Sequence, residues 1–548
     1  GKRLNDLGMY TLIDLPVART MRAMTSLTSQ RILRDAGSHL EFANAAIRND
    51  CYQAMAAPLR RQLHSLVSDR LLVEFGKGEP IPGLELAWHL VRADRLKEGV
   101  PYLLDGGRES IRRGAPHEVD LALRTGIPAL EGTSRQTAIL LHAEALQDLG
   151  QWAESLEVLD MPAGQYGESD EAWRRVLKVV GRRWVGDMSA SDIDKSTDDL
   201  LAIADASLPV EIRAKAMAAT VRMLTLSRDR GAIGRLQTSL GRLPPAISDP
   251  YDRLHVILAA AWIRTLNNEY SQALALLTDA VSIAAKDGYR SSLVARILIG
   301  QGNVMSLLGD YESALQPLEH AIALAKNLDN PTLLAECSVQ LATAFGRLGR
   351  RKEQIHWASI ACDRFHPDDW SPGAVGAQYE LGIGMALDAR AKEAKQVAES
   401  LARQALSERP GWSKQAALLC AADILALAGR PKHAMRIGAA GIAVDNEKLL
   451  DDSYAGQFSR WIALGSGATG MTLEALAILD RELPSDDILH AKDRIEVRAA
   501  RAYLRGKGGG VTTQEWDQIN QSLVQLPPGV SSILKGAGLL RADRLNGR

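Results

Sequence analysis

The chain has 548 residues, 46% hydrophobic but only 5% aromatic, with 65 Lys and Arg against 66 Asp and Glu. The formal net charge of -1 gives no reason to expect nucleic acid or an anionic membrane as a partner, and no run of 18 apolar residues exists to span a membrane. An Ala- and Leu-rich, aromatic-poor chain favours close-packed helices over β-sandwiches, and four cysteines without a Cys-x-x-Cys pair (Cys51, Cys337, Cys362, Cys420) are expected as reduced core residues of a cytoplasmic protein.

The first residues, Gly1-Lys2-Arg3-Leu4-Asn5, contain no initiator Met and no signal peptide, and read as the start of an excised piece. Residues 1–75 follow no repeat. Leu12-Ile13-Asp14-Leu15-Pro16 can start a helix, Asp35-Ala36-Gly37-Ser38 is a turn, and Leu40-Glu41-Phe42 is a short extended piece. Helical segments around Phe42–Tyr52 and Arg60–His64, with a β-hairpin between helices, suit a small winged helix.

Residues 76–245 carry degenerate helical repeats. Leu149-Gly150-Gln151-Trp152-Ala153-Glu154-Ser155-Leu156 is a good copy of a helix–turn–helix unit, and Ala93-Asp94-Arg95-Leu96-Lys97-Glu98-Gly99-Val100 a looser one. The pattern is weakest between Gly186 and Pro245, where Ser189-Ala190-Ser191-Asp192 and Leu243-Pro244-Pro245 mark connections. From 246 to 500 the repeat is regular. Turn positions recur at Asn268, Gly309, Gly349, Ala389, Gly429 and Gly470, spaced 41, 40, 40, 40 and 41 residues apart. The residue five places later is Ala273, Ala314, Ala394, Ala434 or Ala475, with Gln354 as the exception. Gly at the turn accepts a positive φ, and Ala lets two helices cross closely. Gly302 and Ala321 are further small positions at helix crossings. The loop His366–Gly373 separates two repeats, Arg505-Gly506-Lys507-Gly508-Gly509-Gly510 reads as a flexible turn, and 501–548 cap the stack. The sequence resembles the tetratricopeptide repeat with a period of about 40. The expected fold is therefore all-α: a tetratricopeptide-like α-solenoid, a right-handed superhelix of helix pairs, preceded by a small winged-helix remnant.

Phe42, Ile47, Arg48 and Tyr52, then Arg60, Leu63 and His64, resemble the end of the winged-helix domain in bacterial STAND signalling ATPases of the MalT-like kind. Leu86-Ala87-Trp88-His89-Leu90 and Val100-Pro101-Tyr102-Leu103-Leu104 are similar to that family's first repeat helices. The resemblance covers roughly the first 110 residues. It implies an ATPase core upstream and a downstream repeat region that serves as sensor. It also implies nucleotide-sensing positions at Asn44 and Arg48, with Asn44 standing where the family carries the histidine that contacts ADP.

No Gly-x-x-x-x-Gly-Lys-[Ser/Thr] loop occurs, so the chain itself is expected to be no enzyme and to hold no cofactor or metal. His356 and His366 lack the spacing of a metal site. The promising surface is the inner face of the repeats. Fixed offsets before each turn select His255 and Trp262, then Arg296, Asn303 and Ser306, then Gln340, Thr343 and Arg347, and then Tyr379. These side chains suit a protein or peptide segment, or a small-molecule inducer, held in a concave groove. The expected function is thus the sensor and regulatory arm of a STAND-type ATPase, in transcription control or phage defence. The alternative is a free-standing tetratricopeptide scaffold for protein assembly.

Overall fold

The computed structural model describes residues 16–35, 40–78, 81–185, 188–227, 230–243, 247–365, 371–405, 411–443, 455–469, 471–482, 491–507, 513–524, 533–535 and 539. It divides into two compact units. One comprises 1–145 with 158–166, and the other 146–157 with 167–548.

The first unit begins with α1 (Val17–Ser29), the antiparallel hairpin β1 (Leu33–Asp35) and β2 (Leu40–Phe42), and α2 (Ala45–Ala54). Leu33 pairs with Phe42 and Asp35 with Leu40, so the expected hairpin is present. Residues 12–15 and the turn residues 36–38 lie outside the described residues. These elements bury little: Thr20 and Leu33 are covered, whereas Val17, Met21 and Leu27 stand in solvent. Next come α3 (Ala57–Gly76), α4 (Gly83–Arg92), α5 (Leu96–Arg112) and α6 (Pro116–Gly126). Leu71, Leu86 and Leu90 form a small core against Tyr102.

In the second unit, helices come in antiparallel pairs. α7 (Gly132–Asp148) belongs to the first unit up to residue 145 and α8 (Trp152–Leu159) to the second up to residue 157; after them come α9 (Glu168–Val185), α10 (Ala190–Asp205), α11 (Val210–Ser227) and α12 (Arg230–Gly241). The weakly patterned stretch after Gly186 is therefore helical as well. Ser189 and Asp192 form a reciprocal capping box that starts α10. The regular pairs are α13 (Pro250–Leu266) with α14 (Tyr270–Asp287), α15 (Ser292–Leu307) with α16 (Tyr311–Asn327), and α17 (Pro331–Arg347) with α18 (Arg351–Cys362). They continue as α19 (Pro372–Leu387) with α20 (Ala391–Ala405), α21 (Gly411–Leu427) with α22 (Pro431–Ile442), and α23 (Ala455–Thr469) with α24 (Thr472–Glu482). The last described pair is α25 (Ala491–Lys507) with α26 (Thr513–Val524). From α9 onward, each first helix packs on the first helix of the next pair, and the second helices fill the gaps between them. The fold is an all-α, tetratricopeptide-like stack, and no described residue after 80 lies in a strand.

The turns explain the spacing. Asn268, Gly309, Gly349, Ala389 and Gly429 all have positive φ, between 61° and 86°. In each case the next residue's N–H reaches back to the carbonyl five positions earlier, as in Asp310 to Met305 at 3.0 Å and Arg430 to Leu425 at 2.8 Å. This is the Schellman closure, which needs one left-handed residue. Asp94 and Gly150, in the degenerate copies, make the same turn. Gly470 lies outside the described residues.

Five residues after each turn, Ala273, Ala314, Ala394 and Ala434 are fully buried, and Ala475 nearly so. Gln354 is also fully buried. Room for it comes from Gly346, where an added Cβ would lie 2.6 Å from the Gln354 Nε2.

Two expectations need correction. Cys51 is exposed rather than core, one residue before the Tyr52 that ties α2 to α3, whereas Cys337 and Cys420 are buried and Cys362 partly so. Burial pushes the Cys362 thiol up to about 12. Arg505, Gly506 and Lys507 form the last turn of α25 instead of a loop.

A candidate binding wall on the first helices

The first helices α13, α15, α17, α19, α21, α23 and α25 stand side by side, so equivalent offsets form rows across them. The structure distributes the sequence-selected residues along this wall in two settings.

At the α13–α15 end the wall is partly open. Trp262 and Asn303 occupy the same offset on α13 and α15, six residues before their turns, and line one narrow crevice with Ala261, Thr265, Gly300 and Val304. The crevice is shallow, floored by Leu277 of α14, and encloses no space for a water-sized sphere. His255, two helical turns before Trp262, is half-buried and meets the Tyr251 ring edge-on at 5.5 Å. Arg296 lies two turns before Asn303 on the same face of α15. Its Nη1 donates to Glu336 on α17 at 2.7 Å, and its guanidinium sits 5.8 Å from the Trp184 ring. Ser306 is buried, with its hydroxyl returned to the Gly302 carbonyl of its own helix at 2.9 Å. It faces packing rather than a groove.

At the α17–α25 end the wall is sealed. Gln340 is half-buried, and Thr343 donates to Glu380 at 3.2 Å. Gln354 donates to the same carboxylate at 2.7 Å. Arg347 is buried. Burial works against its charge, but the nearby Glu380 and Glu496 carboxylates more than offset that and raise its proton affinity. Tyr379 is 3% exposed and donates to Asp423 at 2.8 Å. Arg460, 1% exposed, donates to Tyr379 at 2.9 Å and Asp423 at 2.7 Å, and also grips Glu496. Burial, with Asp423 adding to it, raises the Tyr379 phenol well above its ordinary value. Arg347 and Tyr379, expected on an exposed face, are thus members of a buried network. Sequence reasoning passed over Glu380, Asp423, Arg460 and Glu496. A signal existed: Asp423 is the lone charge in the apolar run Ala416–Ala428.

In the first unit, the two nucleotide-sensing candidates are tied to local structure. Asn44 caps α2, its Oδ1 accepting from Ile47 N at 2.8 Å, and Arg48 donates to Asn49 at 3.4 Å. The residues that carried the family resemblance meet elsewhere. Tyr52, His64 and His89 form a hydrogen-bonded chain, with 2.9 Å from Tyr52 Oη to His64 Nε2 and 3.0 Å between the two Nδ1 atoms. Arg92 donates to the Tyr52 oxygen at 3.4 Å and lies over the Trp88 ring. Which atom donates in each of the two bonds follows from the histidine tautomer, and neutral rings can satisfy both. Burial, followed by Arg92, lowers the His64 pKa to about 4; burial, followed by His64, lowers that of His89 to about 3. Both rings are neutral at pH 7.

None of the described helices is long and apolar enough to cross a membrane. No protein-family model matches the chain, and no curated protein matches it. Among solved structures, it is similar to the apo quorum sensor NprR from B. thuringiensis. The identity is 12%, the match covers 67% of this chain and 100% of that one, and the TM-score is 0.42. A STAND protein with a tetratricopeptide repeat sensor from Pyrococcus horikoshii matches at 12% identity, covering 80% of this chain and 60% of that one, with a TM-score of 0.38. The APC/C hetero-tetramer Cut9–Hcn1 matches at 11% identity over 88% and 89%, with a TM-score of 0.40. Scores below 0.5 leave the fold to be read from the chain's own helix pairs.

Proposed function

We propose that this chain is the sensor and regulatory repeat region of a STAND-type signalling ATPase, which binds a peptide or protein segment on its first-helix wall and relays that binding to an upstream nucleotide-binding core. The observation that carries the binding half is the open end of the wall. There an aromatic face, an amide and a guanidinium (Trp262, Asn303 and Arg296) line neighbouring first helices whose other faces are apolar. Buried aromatics and arginines anchor protein contacts, and a primary amide can pair with a peptide backbone.

The relay half is supported by the Tyr52–His64–His89 chain. It fastens α2, α3 and α4 together at the junction of the N-terminal segment and the first repeat helix. The exposed apolar side chains Val17, Met21 and Leu27 of α1, and Leu59, Leu66, Val73 and Phe75 of α3, are surface that a partner domain would cover. In this reading the chain binds but does not hydrolyse nucleotide. Two tests apply. Coding sequence upstream should contain a phosphate-binding loop within a few hundred residues, and its absence would leave a free-standing scaffold. The purified chain should show no ATP turnover above background, and turnover that persists through repurification would overturn this reading.

A further inference from the structure

Repeats of a solenoid touch their neighbours and little else. A contact in the second unit departs from that rule. The tight turn Leu149-Gly150-Gln151-Trp152, which follows α7, lies against Asn330-Pro331-Thr332 at the start of α17, through bonds that span 180 to 183 residues of sequence. Asn330 Nδ2 donates to the Asp148 carbonyl at 2.9 Å and to the Gln147 carbonyl at 3.5 Å, the last carbonyls of α7. The Trp152 indole donates to Thr332 Oγ1 at 2.9 Å. Gly150 permits the approach: its φ is 72°, and a Cβ there would lie 2.9 Å from Asn330 Oδ1 and 3.0 Å from Pro331 Cδ. Beside this turn, the Ser292 hydroxyl at the start of α15 donates to Asp148, and Tyr251 of α13 donates to Ser291 at 2.8 Å. One turn thus pins the N-terminal ends of α15 and α17, and α13 is tied to α15 at the same end.

The contact is able to come apart without stranding its members. Its bonds are polar, and Gly150, Ser292 and Thr332 are only half-buried, so water can replace a lost partner. Asn330 Oδ1 caps α17 by accepting from Leu333 N at 2.9 Å, a bond independent of the turn, so α17 keeps its start when the turn leaves. The carbonyls released by Asn330 Nδ2 are helix-end groups that water satisfies. Parting the buried ion pairs of Arg460 at the other end of the wall would instead leave charges without partners. Two satisfied arrangements are what a bistable element needs.

We propose that the Gly150 turn is a clasp that regulates the binding wall. The proposal rests on the peptide-binding reading and adds how the wall opens. The crevice between Trp262 and Asn303 admits no water-sized sphere, so a side chain enters it only when α13 and α15 part. A helix pinned at one end tilts little. Closed, the clasp holds α15 and α17 in place; open, it lets them tilt away from α13, with the Tyr251–Ser291 bond as the pivot. Affinity for a peptide is then reduced by the fraction of molecules whose clasp is closed.

Two substitutions penalise the closed clasp alone. Asn330→Asp still caps α17 but presents an acceptor to the Asp148 carbonyl, and Thr332→Val removes the acceptor of the Trp152 indole while keeping the side chain's size. The probe is a synthetic hexapeptide library, with retention on the intact chain read by mass spectrometry, and hydrogen exchange follows the amides of 146–157. Both variants should exchange faster in 146–157 and retain roughly threefold more peptide than the parent or better, Asn330→Asp the more strongly. A contact that serves stability alone would lower retention when broken, or leave it as it was. Faster exchange with retention unchanged or lower therefore overturns the clasp while the binding wall stands, and so does exchange in 146–157 that matches the parent in both variants. No retention by any of the three proteins overturns both the clasp and the peptide-binding reading.

Discussion

The two ends of the first-helix wall use the same helix positions for opposite purposes. At α13 and α15 Trp262 and Asn303 line a crevice and stay partly open, whereas from α17 to α25 the polar residues turn on one another. Arg296 and Arg460 illustrate the difference. Each bridges to a carboxylate on the next first helix, but the Arg296–Glu336 pair keeps side-chain exposures of 11% and 22%, while Arg460 and Glu496 keep 1% each. A repeat offset thus specifies which helix face a residue occupies. Whether that face binds a ligand or seals the stack depends on the neighbours' size and charge.

The largest effect should come from the sealed end. Arg460→Ala strands Asp423 and Glu496 as buried carboxylates, and should cost about 3–5 kcal/mol in denaturant unfolding. Arg296→Gln should cost distinctly less, because its partner can turn to water. Equal losses would erase the distinction between the two ends.

Acid should act on the other unit. The folded His64 and His89 have pKa values of about 4 and about 3, below the ordinary 6.5. An unfolded chain therefore takes up protons first as pH falls. The stabilisation is complete above about 6.5 and is lost progressively down to about 3. Protection factors of amides in 57–92, taken relative to the intrinsic exchange rate at each pH, should fall across that window, while the repeats around Ala314 should hold theirs down to lower pH. A flat response in 57–92 between pH 7 and 4 would contradict the neutral histidine pair.

Packing tests come next. Ala314→Leu should destabilise by about 1–3 kcal/mol through overpacking. Gly346→Ala should cost a similar amount because its Cβ meets Gln354, and Gln354→Ala should relieve much of that cost. Strict additivity of the two would show that glycine and glutamine are not a matched pair. The smallest effect concerns the turns. Ala389 holds φ 61° without being glycine, so Ala389→Gly should stabilise by a few tenths to about 1 kcal/mol, whereas Gly309→Ala should destabilise. A melting scan of both variants gives the signs.

The stack was legible in the sequence because turn chemistry and small crossing residues repeat with the structure's own period, so a one-dimensional pattern mapped onto Asn268, Gly309, Gly349, Ala389 and Gly429. The stretch after Gly186 was less so, since its helices start from a capping box at Ser189 and Asp192 rather than from a glycine turn. At the site, offsets found Trp262, Asn303 and Arg296 but could not separate them from Arg347 and Tyr379. That separation depends on Glu380, Asp423 and Arg460 from other helices, and on contacts 37 to 81 residues apart in sequence.

The most direct test of the open wall is calorimetric titration, with a peptide selected from a synthetic library by retention on the intact chain, of four proteins: the parent chain, Asn303→Ala, Arg296→Gln and Tyr379→Phe. Affinity should fall roughly tenfold or more in each of the first two variants, equivalent to about 1.4 kcal/mol or more, and stay at the parent value in Tyr379→Phe. Unchanged affinity in both Asn303→Ala and Arg296→Gln, or an equal loss in Tyr379→Phe, would contradict the assignment of binding to this end of the wall.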